Sequence, residues 1–158
     1  MPRTEYYRDP NAPAATHVAV AVFAIIRDDV GSILLVRRAD NGNWEPPGGH
    51  IEPGETTTTA LTREVLEESG VRVAATSVAG IYTDPDHVMA YPITGVVSQQ
   101  FAVYLNATPI GGQPRGDGQE TSAATWFTSN ELRGLTIQPG IRARLDQMLH
   151  QPSTTHLG

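Results

Sequence analysis

The stretch that decides the fold runs from Gly48 to Val71, GGHIEPGETTTTALTREVLEESGV. It places Glu52, Glu55, Glu64, Glu67 and Glu68 close together, with only Arg63 to offset them. A helix is expected from Thr57 to Ser69. One Thr of the run Thr56 to Thr59 serves as N-cap, the interior holds neither Gly nor Pro, and Gly70 suits the position after the last turn. Each helical residue advances by about 100°. Counting Glu64 as zero, Glu67 then falls near 300° and Glu68 near 40°, so three carboxylates share about a third of the circumference. Like charges one turn apart cost a few tenths of a kcal/mol each when nothing neutralises them. Leu61 and Val65 lie beside this face and turn it toward the protein body, and Ala60 keeps the space among the carboxylates open. Three hard oxygen donors on one rigid face suit Mg²⁺ or Mn²⁺, and a backbone carbonyl from Gly48-Gly49 could add a ligand, since glycine allows close approach. The alternative from these residues alone is a solvated acidic face.

The surrounding chain narrows the choice. At 158 residues, 39% of them apolar and 18% charged, it is most simply one globular domain with a core of its own. It has no cysteine, which excludes disulfides, zinc–thiolate sites and cysteine nucleophiles. The N-terminus lacks the apolar segment of an export signal and no stretch is long and apolar enough for a membrane span, so a cytoplasmic protein is expected. Of the net charge of −6, most falls between residues 45 and 68, where six glutamates face one arginine. No basic stripe suggests nucleic-acid binding. All eleven cationic side chains are arginine; base composition accounts for that, although arginine suits bidentate phosphate contacts.

Residues 1–15 read as a flexible arm and 152–158 as a frayed tail, with one domain over 16–151. His17 to Arg27 and Ser32 to Arg38 read as strands joined by Asp28–Gly31 into a hairpin. Strands are also expected over Val71 to Tyr82, Gln99 to Asn106 and Ala123 to Phe127. Thr108 to Glu120 reads as a long exposed loop, Ser129 to Leu132 as a helical turn, and a last helix opens at Pro139 with Ile141, Leu145, Met148 and Leu149 as its core stripe. The order implies a mixed sheet covered by helices.

Gly49, five residues, Glu55, seven residues, then Arg63-Glu64-Val65-Leu66-Glu67-Glu68-Ser69-Gly70-Val71 matches every position of the Nudix box, G-x5-E-x7-R-E-U-x-E-E-x-G-U with U aliphatic. The chain from about His17 to Gln151 resembles the MutT-like Nudix hydrolase family. The resemblance implies an α/β/α sandwich with a mixed sheet. It also implies divalent-cation-dependent cleavage of a nucleoside diphosphate linked to another moiety, X. Carried over residue by residue, Glu64, Glu67, Glu68 and the Gly48 carbonyl are the expected ligands of Mg²⁺ or Mn²⁺, and Glu55 and Arg63 the pair that braces loop against helix. Glu64 is the first choice for the base that takes a proton from the attacking water, and Glu120 the alternative. Relatives often carry an acid where this chain has Ala123. Arg37 and Arg38 are candidate phosphate contacts and Trp44 a candidate base-stacking residue. Asp84 to Tyr91 is a candidate lining of the cleft. The expected partner is a small nucleotide, with a homodimer left open. A Nudix-fold nucleotide sensor without turnover and an isomerase on the same fold are the competing readings.

Overall fold

A computed structural model describes residues 2–158. In chain order the first strands are β1 (Thr4–Tyr7), β2 (His17–Ile26), β3 (Ile33–Arg38), β4 (Trp44–Glu45) and β5 (Gly48–His50), followed by helix α1 (Thr57–Ser69). Then come β6 (Val71–Tyr82), β7 (His87–Tyr91), β8 (Val96–Gly112) and β9 (Thr121–Phe127), the short α2 (Ser129–Leu132), α3 (Pro139–His150) and β10 (His156–Leu157).

Successive side chains of a strand point to opposite faces, so a strand covered on both sides must be apolar without alternation. The last six residues of β2 meet that condition and divide the core. Ala21, Phe23 and Ile25 join a cluster closed by Ile141, Leu145 and Met148 of α3. Val22, Ala24 and Ile26 join a second cluster closed by Ala60, Leu61 and Val65 of α1. Ile33 and Leu35 of β3 go to the first cluster and Leu34 and Val36 to the second. Burying each Leu or Ile contributes roughly 1.5–3 kcal/mol. The fold is an α/β/α sandwich.

The larger sheet runs β1-β7-β8-β2-β5, with β6 on β8 and β10 on β6. It is mixed: β2 lies parallel to β8 and β10 parallel to β6, while the other pairs are antiparallel. A smaller antiparallel sheet has the order β4-β3-β9. The expected β2–β3 hairpin is not formed. β2 is bounded by β8 on one edge and β5 on the other, so β3 meets it only through the bridge Arg27–Ile33 and pairs with β4 and β9 instead.

Three further expectations are corrected. The N-terminal arm contains β1, paired with β7 from Thr4–Ala90 to Tyr7–His87. The tail contains β10, paired with Gly80 and Ile81. The segment read as a loop from Thr108 continues as strand to Gly112, because β6 supplies partners up to Val71–Gly112 and register shifts absorb Pro109. In each case a partner distant in sequence supplies the hydrogen bonds. α1 has the expected limits: Thr56 accepts from the Thr59 N–H in a capping box, and Gly70 closes the helix at φ 72°, where a side chain would be strained. Among the described residues no helix is long and apolar enough to cross a membrane.

Candidate active site

β5 and α1 build the site between them. β5 lies on β2, and the N–H of Gly48 donates to Glu68 Oε2 at 3.1 Å. A Cβ on Gly48 would fall 2.2 Å from the Val22 carbonyl oxygen, and one on Gly49 would fall 2.6 Å from the Glu64 carboxyl carbon. The first is a clash with backbone that no side chain can relieve, and the second would push the Glu64 carboxylate aside. Gly48 is therefore required by packing on β2, and Gly49 lets the Glu64 carboxylate lie against the backbone of β5. That is a more local reason for the paired glycines than a carbonyl aimed at a cation.

Arg63 is the hub of the acidic cluster. Its Nε and Nη2 donate to the two oxygens of Glu55 at 2.6 and 2.8 Å, a bidentate pair. Nη1 donates to Glu64 Oε1 at 2.7 Å and lies 3.5 Å from Glu67 Oε2. Nη2 also reaches the His50 carbonyl at 3.3 Å. Glu55 accepts from the Glu52 N–H as well, and these bonds hold its carboxyl down at about 2. Glu64 is raised by burial and by Glu67 and Glu120, against the pull of Arg63. Glu68 is 7% exposed, and burial pushes it well above the ordinary carboxylate range, with Glu45, Glu64 and Glu120 adding to the effect. Glu67 is the most open of the three, its side chain 58% exposed.

These residues line a cavity of about 320 Å³. Its carboxylates are Glu52, Glu64, Glu67, Glu68 and Glu120, and its guanidinium groups are Arg3, Arg38 and Arg63. Phe23, His50, Tyr91 and Gln100 complete the polar and aromatic lining. Burial and Arg3 push the His50 imidazole down, while Glu120 pulls it up.

The structure brings together Gly48, Arg63, Glu64, Glu67, Glu68, Glu120 and Arg38, sets Glu55 behind Arg63 outside the cavity lining, and leaves two further candidates, Arg37 and Trp44, away from the site. Arg37 points away, its Nε donating to the Gly42 carbonyl at 3.1 Å, so it fastens the turn after β3 and is not a cavity contact. Trp44 packs edge-on against Phe127 at 4.8 Å and belongs to the core beneath α3, not to a stacking platform. Of the segment Asp84 to Tyr91, Tyr91 lines the cavity. His87 is fully buried against Glu5 at 3.1 Å. Arg3, His50, Glu45 and Gln100 were not anticipated. A lone arginine near the N-terminus and a glutamate before two prolines carry no signal of their own; the pairing of β1 with distant β7, and of β4 with β3, puts them here.

Among the described residues no three acidic or histidine side chains converge on one point. Arg63 occupies the space between Glu64 and Glu67. The charge balance nevertheless fits a cation: the one guanidinium on α1 is consumed by Glu55 and Glu64, and Glu68 has no cationic partner among the described residues. Carboxylates raised by burial and by one another lack positive charge, which a divalent cation would supply.

A sandwich with a glutamate-lined cleft along the second half of its first helix, together with the motif from Gly49 to Val71, is the arrangement of a Nudix-class hydrolase. Comparison with known proteins agrees: the NUDIX domain model matches residues 15–150. A MutT-like protein of Streptomyces ambofaciens is 36% identical over 125 residues, covering 79% of this chain and 72% of that protein. An ADP-ribose pyrophosphatase of Methanocaldococcus jannaschii is 37% identical over 124 residues, covering 77% and 68%. The crystal structure of a MutT protein from Methanosarcina mazei Go1 superposes with a TM-score of 0.68 at 21% identity, covering 90% of this chain and 99% of that one, which shows the shared fold. The chain belongs to the Nudix family and is a Nudix hydrolase.

Proposed function

We propose that the protein hydrolyses the pyrophosphate linkage of a nucleoside diphosphate joined to a further moiety, and that it needs Mg²⁺ or Mn²⁺ to do so. The observation that carries this reading is the acidic face of α1, Glu64, Glu67 and Glu68, set in a cavity and braced by the bidentate Arg63–Glu55 pair. A dianionic linkage does not enter a pocket of five carboxylates unaided. Glu64, Glu67 and Glu68 would hold the cation, with the Gly48 carbonyl as a further donor. When bound, that ion neutralises phosphate oxygens and acidifies a water molecule.

The protein's own groups then have defined tasks. Arg63 fixes the direction of Glu64, because its rigid fork is anchored at Glu55. Glu64 receives the proton of the attacking water, whose oxygen forms the new P–O bond as the bridging P–O bond breaks and its electron pair leaves with the departing phosphate. The products are a nucleoside monophosphate and the phosphorylated moiety. Glu120 is the second candidate base: it lines the same cavity and has no ion pair among the described residues.

A panel of diphosphate compounds with Mg²⁺ or Mn²⁺, assayed for monophosphate release, tests the reading. ADP-ribose belongs in it because the Methanocaldococcus jannaschii relative is named for that substrate. Tight binding of a nucleotide with no turnover of any member would refute hydrolysis and favour a sensor. Within an active protein, Glu64→Gln should abolish the acidic limb of the pH–rate profile and Glu120→Gln should leave it. The reverse pattern moves the base to Glu120.

A further inference from the structure

Anionic substrate has to be held by cationic donors as well as by a metal, and the cavity contains three guanidinium groups. Arg63 is spent: Nε and Nη2 on Glu55, Nη1 on Glu64. Arg38 is spent too, with Nε and Nη2 on the two oxygens of Asp40 at 2.9 and 2.6 Å and Nη1 on Glu45 at 3.1 Å. Arg3 differs. Its Nε donates to Glu5 Oε1 at 2.6 Å, and its Nη2 is shared between that oxygen and Glu45 Oε2, the latter at 3.0 Å. Nη1 has no hydrogen-bond partner among the described residues, and it is not one of the polar atoms sealed from solvent.

We propose that Arg3 is a substrate-recognition residue, gripping a phosphate oxygen of the diphosphate through Nη1. The inference rests on the hydrolase reading above and extends it to a residue outside the motif. Three features pre-organise the contact. β1 pairs with β7 through Thr4–Ala90, which sets Arg3 beside Tyr91 at the cavity. Glu5 is fixed by His87, itself fully buried, so one anchor of the guanidinium cannot drift. Glu45, the other anchor, is 5% exposed and held from its far side by Arg38. A guanidinium held at two of its three nitrogens loses little rotamer freedom when the third binds. β1 thereby completes the site, and the first residues of the chain set affinity for phosphate.

The test uses the full-length protein with Arg3→Gln and Arg3→Lys. Arg3→Gln should raise KM for the diphosphate substrate about tenfold, the effect of losing one charge-assisted hydrogen bond, with kcat changed by less than about threefold. Arg3→Lys should restore only part of the affinity, because it keeps the charge beside the phosphate but not the fork anchored at Glu5 and Glu45, whereas a role confined to bracing those two carboxylates would make affinity insensitive to that charge. Calorimetric binding of inorganic pyrophosphate in the presence of Mg²⁺ should weaken by a similar factor in Arg3→Gln. A folded Arg3→Gln variant with unchanged KM and unchanged pyrophosphate affinity overturns the proposal, as does a fall in kcat alone. The binding measurement separates the two ideas. If the wild type turns over no diphosphate yet binds pyrophosphate more tightly than Arg3→Gln, hydrolysis fails and the role of Arg3 stands. If the wild type binds no pyrophosphate, the role of Arg3 fails.

Discussion

Glu68→Gln should make the metal-free protein more stable while disabling it. Glu68 is 7% exposed, its carboxyl is pushed well above the ordinary range by burial and then by Glu45, and among the described residues the carboxylate accepts one hydrogen bond, from the Gly48 N–H. Glutamine preserves the shape, and its amide oxygen can accept the same bond, so the substitution removes charge and little else. A buried carboxylate left without a cationic partner costs on the order of 1–3 kcal/mol, and relief of about that size is expected at pH 8. In a chain of this length that is a rise in Tm of roughly 2–10 °C. The sign is set by linkage. Folded Glu68 binds its proton more tightly than unfolded Glu68, so stability falls as pH rises from the ordinary glutamate range toward the raised value. The advantage of the variant should therefore shrink toward zero at pH 5. Calorimetric melts in EDTA at pH 5 and pH 8 measure it. Added Mg²⁺ should raise the wild-type Tm more than that of the variant, because a ligand stabilises only the state that binds it. A variant that melts below wild type in EDTA at pH 8, or a difference that does not change with pH, would refute the argument that Glu68 is a buried charge awaiting a cation.

Arg63→Gln should return the Glu55 carboxyl from about 2 to the ordinary range, visible by NMR titration, and lower activity by about 10–100-fold through loss of the brace on Glu64. Leu61→Ala should cost about 2–5 kcal/mol in urea unfolding, since Leu61 is fully buried where α1 meets the sheets. Burial raises the Glu5 carboxyl, but the His87 hydrogen bond and the Arg3 charge outweigh it and hold the group at about 2. That depressed value contributes stability above the ordinary range of 4.5 that is lost as pH falls toward 2. Glu5→Gln should flatten acid unfolding in that window, followed by circular dichroism.

Elements whose hydrogen bonds close locally were legible in the sequence. α1 carries its caps within its own residues, Thr56 at one end and Gly70 at the other, and its limits follow from them. α3 shows its stripe as Ile141, Leu145 and Met148, all buried. What was not legible depends on partners far along the chain. β1 is a strand because β7 lies beside it 82 residues away, as the Glu5–His87 contact shows, and nothing in TEYY states this. β2 and β3 have the pattern of a hairpin, yet β2 pairs in parallel with β8 from Ser98 onward, and no periodicity within β2 names that partner. Trp44 illustrates a further limit: an aromatic beside a glycine-rich loop suits a base or a core equally, and the position of Phe127 decides for the core.

The motif itself was fully legible, and it still understates the site. Read alone, it gives an acidic face and one arginine, and repulsion is left to be resolved by a cation. The structure divides the charge differently. Arg63 is not a counter-charge for three carboxylates: it is committed to Glu55 first, with bonds at 2.6 and 2.8 Å, and reaches Glu67 only at 3.5 Å. Glu68, the most buried of the three, meets another carboxylate, Glu45, which two further arginines must hold. One of those arginines, Arg38, ends β3, and the other, Arg3, immediately precedes the N-terminal strand β1. An acidic box of this kind therefore needs a cationic frame from outside itself, both to steady its innermost carboxylate and to meet the phosphates. That frame is built by strand pairing, so it follows the fold and not the motif.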